Sequence, residues 1–179
     1  MPFLIKAIEY AHNNGITVYM LTLTAPHYAN TDYLAFSKKI QSGYSSLVSA
    51  IKRMVKDGEL KYSLMGHIQN FEVTYSVKNG FHPHKHCLLF FDSTINEKEL
   101  EKDVKRLWKK ICRKNGLLVT DNVDFDQRSV NIELCKTANN YLQKIHHEMA
   151  SKTNKAAKNN NMSYFTALNL LYELKKIIK

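Results

Sequence analysis

The stretch Gly80-Phe-His-Pro-His-Lys-His-Cys-Leu-Leu-Phe-Phe91 decides the fold, because it predicts one strand whose two faces differ in chemistry. Side chains two positions apart in a strand point to the same face, so His84 and His86 project side by side. His82 joins them if the strand extends that far. The apolar run Leu88–Phe91 is typical of a buried strand. Two imidazoles on a rigid strand would supply half of a divalent-metal site.

The segment before this stretch predicts the partner strand. Ile68–Val77 alternates between apolar and polar residues, as a half-buried strand does, and Glu72 is the carboxylate on its polar face. The turn signal Lys78-Asn-Gly80 then predicts an antiparallel hairpin. A three-residue loop at 78–80 would set Glu72 across from His86, whereas a two-residue Asn79-Gly80 turn would point it away. We expect the odd-length loop.

The predicted donor set consists of His84, His86 and Glu72. Two imidazoles, one carboxylate and open positions for water and phosphate suit Mn²⁺ or Mg²⁺, and Zn²⁺ would also bind. The alternative is that each histidine is an ordinary polar group, since the chain has eight of them. Three histidines at alternate positions beside a glutamate on a strand favour the metal site. The role of His82 stays open between a ligand, a partner behind the ligands and a DNA contact.

Composition predicts the size of the unit and the charge of its partner. The 179 residues, 44% of them hydrophobic, predict a single folded domain over 1–179. A net charge of +10 favours a polyanionic partner such as nucleic acid. No apolar stretch is long enough to span a membrane, and no signal peptide is expected. Three scattered cysteines, Cys87, Cys112 and Cys135, are typical of a reducing cytoplasm.

The rest of the chain alternates between helical and strand patterns. These predict helices over Phe3–Asn14, from Thr31 or Asp32 to Lys56, from Asn96 onward, over about Thr137–Met149 and from Ser163, and strands over Thr17–Thr24, Leu117–Val119 and Val130–Leu134. Thr31 or Asp32 and Asn96 are the expected caps of their helices, and Trp108 lies on an apolar helical stripe that predicts a core position. A polar, basic segment near 151–162 is predicted to be a mobile loop. The order predicts an α+β fold whose antiparallel sheet has helices mainly on one face and the metal site on the other.

A candidate nucleophile lies in the predicted helix after Thr137. Tyr141 and Lys144 are three positions apart and share a helix face. A phenol ionises near pH ~10, and a neighbouring ammonium group favours the phenolate and can hold a phosphate. The helical pattern alone favours a packing role for Tyr141. Tyr164, at the start of the last helix, is a competing candidate.

Three stretches together resemble the HUH endonucleases, especially the initiators of rolling-circle plasmid replication. Met20-Leu-Thr-Leu-Thr24 resembles their first motif, a central strand. The stretch Gly80–Phe90, preceded by Phe71-Glu-Val-Thr-Tyr75, resembles their metal motif with its upstream acidic ligand. Asn140-Tyr-Leu-Gln-Lys144 resembles the motif that carries the nucleophilic tyrosine. The resemblance covers about residues 17–171.

The resemblance implies a ferredoxin- or RRM-like fold and a specific reaction. Tyr141 would attack a phosphodiester of single-stranded DNA at an origin, forming a 5′-phosphotyrosine link and freeing a 3′-hydroxyl. His84, His86 and Glu72 would hold the Mn²⁺ or Mg²⁺ ion, while Lys144 steadies the phosphate. The implied partners are single-stranded and origin hairpin DNA, with a host helicase and polymerase, for a monomer or a dimer.

Two positions depart from the family pattern. Lys85 stands between the metal histidines where the family has a hydrophobic residue. If it faces the helices, its stem must reach an edge or solvent; otherwise it would contact the metal ligands from behind or contact DNA. Thr137 stands where some members place a carboxylate. Alternatives that share the chemistry are a relaxase or a single-strand transposase. Two further alternatives are a non-catalytic nucleic-acid-binding domain and a metal-dependent hydrolase that uses water.

Overall fold

The computed structural model describes residues 2–28, 31–76, 80–118, 123–137 and 161–163. Its helices are α1 (Pro2–Asn13), α2 (Tyr33–Lys56), α3 (Glu97–Lys114) and α4 (Val123–Arg128). Its strands are β1 (Thr17–Leu23), β2 (Leu64–Ser76), β3 (Gly80–Phe91), β4 (Val130–Leu134) and β5 (Asn161–Ser163). None of the helices in these ranges is long and apolar enough to cross a membrane.

The strands form one sheet in the order β4-β1-β3-β2-β5, and all neighbouring strands are antiparallel. The path β1-α2-β2-β3-α3-α4-β4 runs through two split β-α-β connections around a hairpin, which is the ferredoxin-like arrangement. The predicted α+β class with an antiparallel sheet is therefore confirmed. Helix α4 and the short strand β5 were not predicted.

The hairpin register corrects one prediction. Ser76 pairs with Gly80, so residues 77–79 connect the strands, and Glu72 lies opposite His84, not opposite His86 as expected. The connection begins one residue earlier than predicted because Gly80 is already the first residue of β3. Its length is odd, as expected, so facing residues still share a face and Glu72 stays on the histidine side.

Helices α2 and α3 cover one face of the sheet. Odd-numbered residues of β1 and β3 pack against them in one core, which includes Leu21, Leu89, Ile40 and the fully buried Trp108. Trp108 Nε1 donates a hydrogen bond to the Thr24 carbonyl oxygen at 2.9 Å. The indole therefore anchors α3 to the end of β1, as its helical spacing predicted. Asp32 and Asn96 cap α2 and α3 through their side chains, also as predicted.

Helix α1 covers part of the opposite face, so the helices are not confined to one side. Ile8 and Ala11 pack with Val18, Met20 and Leu88 in a second, smaller core. These strand residues occupy even positions, on the same face as the histidines of β3. The second face is thus divided, because α1 shields the end near Leu88 and the polar side chains occupy the end near His82.

Several predictions fall in the C-terminal part of the chain. The predicted helix near Thr137–Met149 and most of the loop near 151–162 lie outside the described residues. Asn161–Ser163 is a strand that pairs with β2, which corrects the prediction that Asn161 belongs to the loop and that Ser163 opens a helix. Leu117 and Leu118 are buried but not in a strand, because they follow the Gly116 turn at the end of α3.

Candidate metal centre

Three histidine rings form a row along β3. The ring centroids of His82 and His84 are 4.0 Å apart with 16° between the planes, and those of His84 and His86 are 6.0 Å apart with 23°. This follows from their alternate positions in a strand, which place all three side chains on one face. The stretch Gly80–Phe91 thus presents a line of imidazoles, and we call these three residues the histidine row.

Glu72 joins the row from β2. Its Oε2 lies 2.9 Å from His86 Nε2, although its register partner is His84. The contact is diagonal across the antiparallel pair, a separation that a long side chain can bridge. The carboxylate therefore stands opposite one histidine and touches the next. Both His86 and Glu72 are largely shielded from solvent, with side-chain exposures of 5% and 19%.

Strand β1 contacts the row from the other side. Thr22 pairs with His86, and its Oγ1 lies 3.1 Å from His86 Nδ1. Thr24 Oγ1 lies 2.9 Å from His82 Nε2. The two hydroxyls fix the orientation of these rings, as hydrogen-bond partners of metal-binding histidines commonly do. Sequence reasoning missed them, although the alternation in Leu21-Thr-Leu-Thr24 already placed both threonines on one face.

A fourth histidine extends the row, and sequence reasoning missed it as well. The ring centroid of His27 is 4.0 Å from that of His82, with the planes at 71°. His27 Nδ1 lies 3.4 Å from the Ala25 carbonyl oxygen, while Nε2 is buried and has no hydrogen-bond partner among the described residues. His27 follows β1 in an irregular segment, so no strand or helix periodicity indicated where it would point.

Burial keeps the inner rings of the row neutral at pH 7. Desolvation lowers the pKa of His84 from 6.5 to about 4; the Glu72 carboxylate opposes this shift and His86 adds to it. Desolvation, with smaller contributions from His84 and His27, lowers the pKa of His82 to about 3. A metal binds the neutral imidazole, so the rings are in the required protonation state without further cost.

The donor set fits a divalent ion by type and by face. Within the described ranges, no three His, Cys, Asp or Glu side chains have donor atoms already gathered around one point, and Glu72 bonds directly to His86. The 2.9 Å between Glu72 Oε2 and His86 Nε2 is a hydrogen-bond length, so the carboxylate and the imidazole lie side by side. Glu72, His84 and His86 are therefore the residues that could hold the ion.

Lys85 lies on the helix face, away from the row. It is 2% exposed, its Nζ donates a hydrogen bond to Gln41 Oε1, and the ammonium lies 5.4 Å from the ring centroids of Tyr44 and Phe71. Desolvation lowers its pKa. Gln41 is exposed, so the stem does reach the edge of the helix layer, as the sequence required for this orientation. A Lys85 contact with DNA on the histidine face is incompatible with this placement, because alternate strand positions face opposite ways.

The predicted nucleophile and its partner are not among the described residues. Tyr141 and Lys144 lie in the range 138–160, and the competing Tyr164 lies just after β5. The roles of these residues therefore stay predictions. The described part of the candidate site consists of the histidine row, His27, Glu72, Thr22 and Thr24.

A ferredoxin-like antiparallel sheet with histidines and a glutamate on one face defines an α+β protein with a candidate metal centre. The family model for the Rep_1 family, described as "Replication protein", matches residues 3–175. The chain belongs to this family of replication proteins.

Two solved structures are distantly similar to the chain. The chain is similar to an amidohydrolase/peptidase from Burkholderia cenocepacia, with 14% identity, 66% of this chain and 27% of that chain covered, and a TM-score of 0.30. An amidase of the hydantoinase/carbamoylase family from Burkholderia phymatum has 10% identity, 74% and 33% coverage, and a TM-score of 0.23. The chain spans about a third or less of the length of these structures. No curated protein matches the chain.

Proposed function

We propose that this protein is a metal-dependent endonuclease that nicks and rejoins single-stranded DNA to start rolling-circle replication of a plasmid. The observation that carries the proposal is the contact of Glu72 with His86 on a histidine-lined sheet face. The family match supports it, since replication proteins of this family are generally nicking enzymes. The net charge of +10 suits a polyanionic substrate.

Glu72, His84 and His86 would hold the Mn²⁺ or Mg²⁺ ion. When bound, the ion neutralises charge on the phosphate and makes the phosphorus easier to attack. Thr22 keeps the His86 ring in a fixed rotation through its contact with Nδ1, which leaves Nε2 directed toward Glu72. The site is carried on paired strands, so its side chains need little reordering when DNA binds.

Tyr141 would be the nucleophile. Its Oη loses a proton and attacks the phosphorus, and the new Oη–P bond forms as the P–O3′ bond breaks. The 5′-phosphate then stays on Tyr141, while the released 3′-oxygen takes up a proton and becomes the primer for a host polymerase. The Lys144 ammonium would favour the phenolate and hold the phosphate. The reverse attack by a 3′-hydroxyl rejoins the strand. Origin hairpin DNA would present the single-stranded target, and a host helicase would extend the opened region.

Covalent capture of DNA tests this proposal. The protein is incubated with Mn²⁺ and fluorescent single-stranded oligonucleotides that tile the origin of its plasmid, and the products are separated under denaturing conditions. The wild type would give a protein–DNA adduct. So would the matched control Tyr10→Phe, because Tyr10 is a 66% exposed residue of α1. Tyr141→Phe would give none. A free 5′-phosphate without an adduct, or an undiminished adduct with Tyr141→Phe, would overturn the assignment.

A further inference from the structure

A pocket adjoins the far end of the histidine row. Its volume is about 250 Å³, and it lies between the segment after β1, the first turns of α2 and the end of α3. Pro26, Tyr28, Phe36 and Leu117 give it apolar and aromatic walls, and Lys39 adds a positive charge. Asp32 also lines the pocket, where its Oδ1 accepts hydrogen bonds from the backbone N–H groups of Leu34 and Ala35 at the start of α2. This volume is somewhat smaller than that of pockets for drug-sized molecules, and it suits a single flat ring that carries a polar group.

His27 connects the pocket to the row. One side of its ring contacts His82 at a centroid distance of 4.0 Å, and its centroid lies 6.2 Å from that of Phe36, a pocket residue. Pro26 and Tyr28, which precede and follow His27, also line the pocket. His27 therefore lies between the histidine row and the residues that line the pocket.

The chemistry of the pocket suits a nucleotide. The Tyr28 side chain is 69% exposed, which is unusual for an aromatic ring. Its backbone is held in place, because Tyr28 N donates to Thr31 Oγ1 at 2.8 Å and Thr31 N donates to the Tyr28 carbonyl oxygen at 2.9 Å. A Cβ added to Gly116 would lie 3.5 Å from Lys39 Nζ, so the ammonium group stands at the end of α3, on the pocket wall.

We propose that this pocket binds one base of the single-stranded DNA that flanks the nicked phosphate. Tyr28 stacks on the base, and Lys39 contacts the adjoining phosphate. Any base can stack on an aromatic ring, so the pocket contributes more to binding affinity than to sequence specificity. The identification of the ligand as DNA depends on the proposed function.

Binding without cleavage isolates this pocket from the chemistry. Fluorescence anisotropy is measured in EDTA with a labelled 15-nucleotide single strand of mixed sequence, and melting temperatures check the fold. Tyr28→Ala and Lys39→Ala are each expected to weaken binding about 5-fold or more. The matched controls are Tyr10→Ala, an exposed tyrosine on α1, and Lys38→Ala, an exposed lysine beside Lys39 on α2. Both controls are expected to stay within about 2-fold of the wild type.

Further outcomes decide the proposal. Tyr28→Phe keeps the ring and would restore binding, while a single abasic position in the oligonucleotide would remove the difference between wild type and Tyr28→Ala. Unchanged affinity with Tyr28→Ala overturns the proposal, as does a change confined to self-association in sedimentation velocity, which would assign the pocket to a second copy of the chain. A failed adduct assay with intact Tyr28-dependent binding would reject the nicking reaction and retain the base pocket.

Discussion

Glu72 Oε2 contacts His86 Nε2 at 2.9 Å, while the register places Glu72 opposite His84. One carboxylate therefore stands between two imidazoles of the same strand face. A shorter side chain at this position would face His84 alone. The Glu72 side chain also extends diagonally, so that its carboxylate contacts His86. This relationship would allow Glu72, His84 and His86 to share one ion in the proposed metal site.

Glu72→Gln tests the carboxylate. The amide keeps the size of the side chain but loses the charge and one acceptor, so Mn²⁺ affinity by calorimetry is expected to fall at least about 10-fold. Gln69→Ala, a change at an exposed position on the opposite face of the same strand, serves as the control and is expected to bind Mn²⁺ like the wild type. Equal affinities for wild type and Glu72→Gln would exclude Glu72 as a ligand.

Thr22→Val tests the positioning of His86. Valine fits the strand and fills similar space, but it removes the hydroxyl that lies 3.1 Å from His86 Nδ1. Metal affinity is expected to fall about 10-fold with little change in melting temperature. Thr17→Val on the same strand removes a hydroxyl contact with Thr94, far from the row, and is expected to leave affinity unchanged. A Thr22→Val protein with normal affinity would show that the hydroxyl does not position the ring.

The buried Lys85 gives a stability prediction. Lys85→Met keeps an apolar stem and removes a charge that is 2% exposed, so the free energy of unfolding is expected to stay the same or rise by about 1 kcal/mol. Lys85→Ala also removes the stem and is expected to cost roughly 2–4 kcal/mol because of the cavity it leaves. Urea unfolding of both variants measures this. A large loss with methionine would mean that the ammonium contacts with Gln41, Tyr44 and Phe71 stabilise the fold.

Gly43 is predicted to be required by the packing of α2 on α3. A Cβ at this position would lie 3.0 Å from Trp108 Cζ3, on a ring that is fully buried. Gly43→Ala is therefore expected to lower the unfolding free energy by about 1–2 kcal/mol, even though alanine favours a helix. At Gly66 an added Cβ meets nothing within 4 Å, so Gly66→Ala is the control without a clash. Thermal melts that rank Gly43→Ala at or above the wild type would contradict the packing argument.

Stability is expected to depend on pH through the histidine row. The pKa values of His82 and His84 are lowered from 6.5 to about 3 and about 4, mainly by burial, so the unfolded chain binds more protons below pH 6.5. Stability therefore falls as pH falls through this window, by roughly 2–4 kcal/mol between pH 7 and pH 5 in EDTA. Glu72 faces His84 and opposes the shift, while the pKa of His27 is also lowered by burial. His82→Asn is expected to flatten the profile by about half, and a flat wild-type profile would contradict the prediction.

The local elements of the described region were largely predictable. Strand alternation identified the hairpin, the facing of His84 and His86 and the polar face of Glu72, because a two-residue period needs no long-range information. Capping by Asp32 and Asn96 and the burial of Trp108 also followed from local pattern. The roles of Tyr141, Lys144 and the metal ion remain predictions.

What the sequence by itself determined is which side chains share a strand face. What only the tertiary structure decided is which of these side chains are in contact. The hairpin connection lies one residue earlier than expected, which sets Glu72 opposite His84. Thr22 and Thr24 contact the histidine row, and His27 packs beside His82. The physical reason is that alternation fixes direction along a chain, whereas register and loop paths depend on the balance of contacts between elements distant in sequence.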